Sequence, residues 1–208
     1  MTELAYPDVR PVLAKVADLA RGLVLVGGQA VNLWASFYEQ RVPALAREAP
    51  FTSKDIDFCS DQRAVRACAE RLGGKARVAT FDDATPNSGT VVLADAAGLT
   101  RTIDIVSAPF GLDAAEVHGT ALAVEILDDA AAPTGIRFFV MHPILCMESR
   151  VHNVVGSPTR TTTSTGVNSF GRRCHRRWRT PTRSIQREAR SADARAARGR
   201  EHGQEPSD

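Results

Sequence analysis

Long apolar runs are missing. No stretch of the 208-residue chain approaches the ~20 residues of a membrane-spanning helix, so no membrane partner is expected. The opening MTELAYPDVRPVL lacks the basic-then-apolar layout of a secretory signal, and a cytoplasmic location is expected. Paired cysteines are missing too. Cys59, Cys68, Cys146 and Cys174 are scattered and form no CxxC pair, which argues against a zinc ribbon or a disulfide frame and leaves reduced thiols as the default. There is no internal repeat. Lysine is absent after Gly156, where twelve arginines stand against five acids. Up to Gly156 the balance is the reverse, 14 Lys and Arg against 19 Asp and Glu. The formal charge of +2 therefore hides an acidic part of −5 and a basic part of +7.

What is present is ordinary for a soluble globular domain, with 43% hydrophobic and 24% charged residues. The length suits one domain with a small addition. After Gly156 the large apolar residues are only Val167, Phe170, Trp178 and Ile185, too few to offset the entropy of ordering that stretch. The expected division is thus a domain over 1–156 and an Arg-rich, disordered tail over 157–208.

Within the domain, Val12, Val16, Leu19 and Ala20 recur at helical spacing, predicting a helix over 8–21 closed by Gly22. The run 23–26 reads as a buried strand. Gly27 and Gly28 turn it into a helix over 29–38, with Ala30, Val31, Leu33, Trp34 and Phe37 facing inward. Pro43 and Pro50 bracket a loop with one helical turn, a lid or a substrate guide. Residues 55–59 form the next strand, and Asp61 caps a helix over 62–72 stopped by Gly73 and Gly74. Strands follow at 75–81, 89–94 and 99–106, the last two a hairpin around 95–98. A short helix at 113–119, strands at 121–127 and 136–140, and a helix at 142–154 complete an α/β fold (an α+β mixed sheet) with flanking helices.

Three pieces carry chemistry. In LVLVGGQAVNLW, Gly27 and Gly28 let a phosphate approach the backbone, and the helix behind them offers unpaired N–H groups. A tight strand-to-helix turn without ligand is the plainer reading of that pair alone. In SKDIDF, Asp55 and Asp57 share one strand face about 7 Å apart and repel unless a cation lies between them. A solvated strand end reads the same way. In TIDIV, Asp104 is a charge within an apolar strand and needs a partner or a metal, with Arg101 or Arg77 as candidate ion-pair partners. Together the three acids suit two-metal phosphoryl or nucleotidyl transfer, through Mg2+ or Mn2+. His118, His142 and His152 have no ligand spacing and read as cap or surface residues.

The order LVGGQAVNLW, SKDIDF, TIDIV resembles the nucleotidyltransferase superfamily with the polymerase-beta-like fold. GGQA, SKDIDF and MHPILCMESRVHNV look most like its AbiEii/AbiGii toxin-type group, over about residues 23–155. The stretch from Gly28 to Asp55 is longer than the family's spacing, which makes 43–50 an insertion. The resemblance implies transfer of a nucleotidyl group from a nucleoside triphosphate to a hydroxyl of RNA, such as tRNA, or of protein, and a cognate antitoxin as partner. It implies Asp55, Asp57 and Asp104 as metal ligands and catalytic groups. It implies nucleotide contacts for Gly27, Gly28, Lys54 and Arg150, although strand parity turns Lys54 away from the acids and a surface lysine is an equal reading.

Residues 157–208 carry their own alternatives. Twelve arginines with Trp178 suit an arm that binds nucleic acid through phosphates, in a catalytically inactive relative. The same composition resembles GC-rich coding DNA read out of frame. Codons for SPTRTTTSTGVNSFGR can be chosen so that reading one base earlier yields LPDAYDDEHGRQQLR, which resembles the family's continuation. On that reading the helices that cover the sheet are replaced by the tail.

Overall fold

The computed structural model describes residues 3–83, 85–94 and 100–155. Chain contacts separate a unit Met1–Pro158 from a unit Thr159–Asp208. The turn expected at 95–98 and the tail 157–208, with its out-of-frame reading, lie outside the described residues.

The first unit is a mixed α/β domain. The element order is α1 (Tyr6–Val16), a 3-10 turn (Ala17–Gly22), β1 (Val24–Val26), α2 (Gly27–Glu39), α3 (Pro43–Ala46), β2 (Ile56–Cys59), α4 (Gln62–Leu72), β3 (Lys75–Val78), β4 (Asn87–Ala94), β5 (Thr100–Val106), α5 (Ala114–Thr120), β6 (Leu122–Leu127), β7 (Pro133–Val140) and α6 (Pro143–Val155). One seven-stranded sheet runs in the order β3-β4-β5-β2-β1-β7-β6. The pairs β1/β7 and β2/β5 are parallel, and the other neighbours are antiparallel. Among the described residues no helix is long and apolar enough to cross a membrane.

Strand alternation divides the residues of the central strands between two faces. Leu25, Ile56, Phe58, Val91, Ile103 and Ile105 form a buried set, joined in the core by Val9, Leu13 and Val16 of α1 and Val65, Cys68 and Ala69 of α4. Asp57, Thr90 and Asp104 occupy the alternate positions. Removal of the aliphatic set from water is the main stabilising term, at about 25 cal/mol per Å² of apolar surface. Asp61 caps α4 as expected, its carboxylate accepting from the backbone N–H groups of Arg63 and Ala64, and Gly73 ends the helix in the left-handed conformation. Cys59, Cys68 and Cys146 are buried free thiols. Burial pushes them up to about 11, 11 and 12, so they pack as small apolar groups.

Several expectations shift. The first helix starts earlier and tightens into the 3-10 turn after Val16. The strand expected to reach residue 81 stops at Val78, because the Asp83 carboxylate accepts from both the backbone N–H and the hydroxyl of Thr80 and closes a turn. Phe37, expected inward, is 52% exposed. The indole N–H of Trp34 donates to the Met141 carbonyl at 2.8 Å and sets which face of α2 docks. Phe37 then packs edge-on against Trp34 and Tyr38, with the Arg41 guanidinium 5.2 Å above its ring.

Candidate active site

The site begins where β1 ends. Val26 pairs with Asp57 across the antiparallel β1/β2 step, and the next residue, Gly27, opens α2. Gly27 has φ +63, and a Cβ there would stand 2.9 Å from the Asp57 Cγ. Only glycine meets both demands, a left-handed backbone and a carboxylate packed against it. The Gly28 N–H donates to that same carboxylate. The glycine turn therefore cradles an acidic side chain. A Cβ at Gly28 would stand 2.8 Å from the Ser53 Cβ and 3.6 Å from a guanidinium nitrogen of Arg150. Ser53 is pinned there by a two-way backbone bridge to Leu4 (2.8 and 3.0 Å), and the Gln29 amide also donates to the Leu4 carbonyl.

Asp57 also pairs with Asp104 across the parallel β2/β5 step, which sets both carboxylates on one face. Asp55 immediately precedes β2. Burial first, then the charges of Asp104 and Asp55, pushes the Asp57 carboxyl up to about 6; Arg150 and the Gly28 N–H pull the other way. Asp104 accepts a hydrogen bond from the Thr90 hydroxyl at 2.9 Å, where the plainer reading of the sequence offered an ion pair with Arg101 or Arg77. Arg150 reaches the site from α6, which follows β7, the parallel neighbour of β1, and packs against α2.

The structure thus brings Asp55, Asp57, Asp104, Gly27, Gly28 and Arg150 together. Lys54 is exposed in the bend before β2 and is not among the charges acting on Asp57. His142 caps the start of α6 through Nδ1, and His152 Nε2 lies 3.8 Å from a Glu148 carboxylate oxygen. His118 is exposed at the end of α5. Sequence reasoning missed Thr90, Ser53 and Asn32. Strand register alone could have found Thr90, since it pairs with Asp104. The Asn32 Nδ2, one turn along α2 from Gly28, is buried without a hydrogen-bond partner.

The donors fit a hard divalent cation in chemistry, being carboxylate oxygens whose mutual repulsion such an ion relieves. As placed, they do not close on one point: among the described residues no group of three His, Cys, Asp or Glu side chains is close enough to hold a metal.

No family model matches the chain, and no curated protein matches it either.

Proposed function

We propose that the chain is a metal-dependent nucleotidyltransferase, moving a nucleotidyl group from a nucleoside triphosphate to a hydroxyl acceptor. The observation that supports this most is Asp57: packed against the glycine turn, paired with Asp104, and raised by burial and then by two neighbouring carboxylates, with Arg150 alongside. A purely structural carboxylate gains nothing from two like charges. A site that holds divalent cations for a phosphate-bearing substrate does.

Asp55, Asp57 and Asp104 would hold two Mg2+ or Mn2+ ions, which supply charge neutralisation at the phosphates and lower the pKa of the attacking hydroxyl. The chain's own groups do the rest. The Arg150 guanidinium, beside the glycine turn, orients the triphosphate. Thr90 occupies Oδ1 of Asp104 and leaves Oδ2 to take the acceptor proton. The acceptor oxygen bonds to the α-phosphorus as the bond to the bridging oxygen breaks, and pyrophosphate leaves. Action on RNA, pairing with a cognate antitoxin and a cytoplasmic location belong to the same proposal.

The test is incubation of the chain with labelled nucleoside triphosphates, Mg2+ and total RNA. Label transfer that disappears in Asp57→Ala is the expected result; transfer that survives it defeats the reading. One feature favours a second reading, an inactive relative that binds nucleic acid: the charge of +7 carried by 157–208. Equal RNA binding by Asp57→Ala, with no label transfer by the parent chain, is its signature.

A further inference from the structure

Arg150 sits past the midpoint of α6, and that helix is held unevenly along its length. Its first turns are well anchored. Leu145, Cys146 and Ser149 are buried, the Ile144 N–H donates to His142 Nδ1, and the Trp34 indole donates to the carbonyl of Met141 just before the helix. Its outer face is bare further on, with Val151, Val154 and Val155 53%, 55% and 78% exposed. Beyond Arg150, the His152 ring lies against Gly111, in the loop between β5 and α5. Gly111 has φ +81, and a Cβ there would stand 2.6 Å from His152 Cδ2 and 2.7 Å from His152 Cβ. The position therefore takes only glycine, for its left-handed backbone and for the ring packed on it. The loop that presents Gly111 is itself fixed at both ends. The Ser107 N–H and hydroxyl donate to the Pro86 carbonyl at 3.1 and 2.9 Å, and Asp113 caps α5 through the N–H groups of Ala115 and Glu116.

We infer that His152 is a positioning residue for Arg150: its ring, seated on Gly111, fixes the rotation of α6 that aims the guanidinium at the glycine turn. The inference rests on the nucleotidyl-transfer reading and adds the residue that keeps the triphosphate contact in place. Three features point the same way. Among the described residues no hydrogen bond or ion pair holds the Arg150 guanidinium itself, so the helix backbone has to aim it. Two residues are about 200° apart around a helix, so Arg150 and His152 leave α6 on nearly opposite sides. A ring pinned on one side then sets the direction of the side chain on the other. Glu148, the second group near the ring, lies one turn back on α6 and cannot tie the helix to the rest of the domain. The loop that carries Gly111 also continues β5, the strand of Asp104. One braced stretch of chain therefore supports the third acid directly and the cation through His152, which keeps the two in step across the site.

The experiment uses the full chain and reads Arg150 in two ways. The first is kinetic. His152→Ala should raise KM for the triphosphate about tenfold and leave kcat within about twofold. His152→Phe keeps a ring on Gly111 and should keep that KM within about threefold of the parent. Gly111→Ala displaces the ring from the other side and should match His152→Ala. In an Arg150→Gln background, His152→Ala should add less than about twofold, because the two changes remove one contact. The second reading is spectroscopic and needs no activity. The arginine Nε–Hε resonance that Arg150→Gln deletes should shift in His152→Ala and Gly111→Ala and return in His152→Phe. An unshifted resonance in both variants overturns the inference, as do losses that multiply in full when His152→Ala and Arg150→Gln are combined. A shifted resonance in a chain that neither binds triphosphate nor transfers label rejects the nucleotidyl-transfer reading instead, and with it the positioning role.

Discussion

Asp57 and Asp104 are register partners on adjacent parallel strands, so their carboxylates share one sheet face although 46 intervening residues separate them in the chain. One of the pair is braced by a backbone N–H of the glycine turn, the other by a threonine hydroxyl. On the proposed function, that asymmetry would give them different work, charge binding for Asp57 and proton acceptance for Asp104.

Burial and like charges raise Asp57 from 3.8 to about 6. A carboxyl whose folded-state pKa lies above its unfolded value stabilises the fold in its protonated form. That contribution is complete below about pH 4 and is lost as pH rises through about 6. Asp57→Asn, which stays neutral, should therefore be more stable than the parent in chelator at pH 8, by on the order of 2–3 kcal/mol. The gain should vanish near pH 3.5. Urea denaturation at both pH values measures this, and an equal gain at both rules out the charge origin.

Gly28→Ala places a methyl group against the Ser53 side chain. Overpacking of this kind costs about 1–3 kcal/mol. Adding Ser53→Gly should restore most of the lost stability, because it removes the atom in the way. Thermal denaturation of the two single variants and the double variant forms a mutant cycle. Additive losses would show that the clash lies elsewhere.

Thr90→Val removes the hydrogen bond to Asp104 at nearly constant volume, at a cost of about 0.5–1.5 kcal/mol in stability. Transfer rate should fall about tenfold, the effect of a misdirected general base. Thr90→Ser retains the hydroxyl and should retain most of the rate. A Ser variant as slow as Val, assayed at saturating substrate, would separate Thr90 from the orientation of Asp104.

Arg150→Gln removes the cation that pulls against the rise at Asp57. The Asp57 carboxyl should titrate higher still, as followed by carbon NMR of labelled aspartate. Triphosphate affinity should drop about tenfold, the scale of one charge-assisted contact. A lowered Asp57 titration would contradict the assigned contact.

Much of the order of elements was legible because it is local. Asp61, Gly73 and the apolar run before Gly27 act within a few residues of themselves, so pattern and capping chemistry located α4 and β1. Phe37 was misread because helical periodicity does not say which margin of a helix docks; the Trp34 bond to Met141 decided that, across 107 residues. Arg101 and Arg77 were the candidate ion-pair partners for Asp104, beside a metal, because charge can be counted in a sequence. Its hydrogen bond from Thr90 depends on a strand pairing that cannot be counted there.

The amino-acid sequence by itself determined the acids, the glycine turn and the charge asymmetry, since residue identity and short-range spacing suffice for each. Tertiary structure decided that Gly28 serves Asp57, that Arg150 returns from the last described helix to the same point, and that Arg77, Thr90, Asp104 and Asp57 form one row. The physical reason is register. A shift of one residue in any of those strands would turn its side chain to the opposite face. Register is settled by packing the whole sheet against its helices, a property that no single stretch of the chain contains.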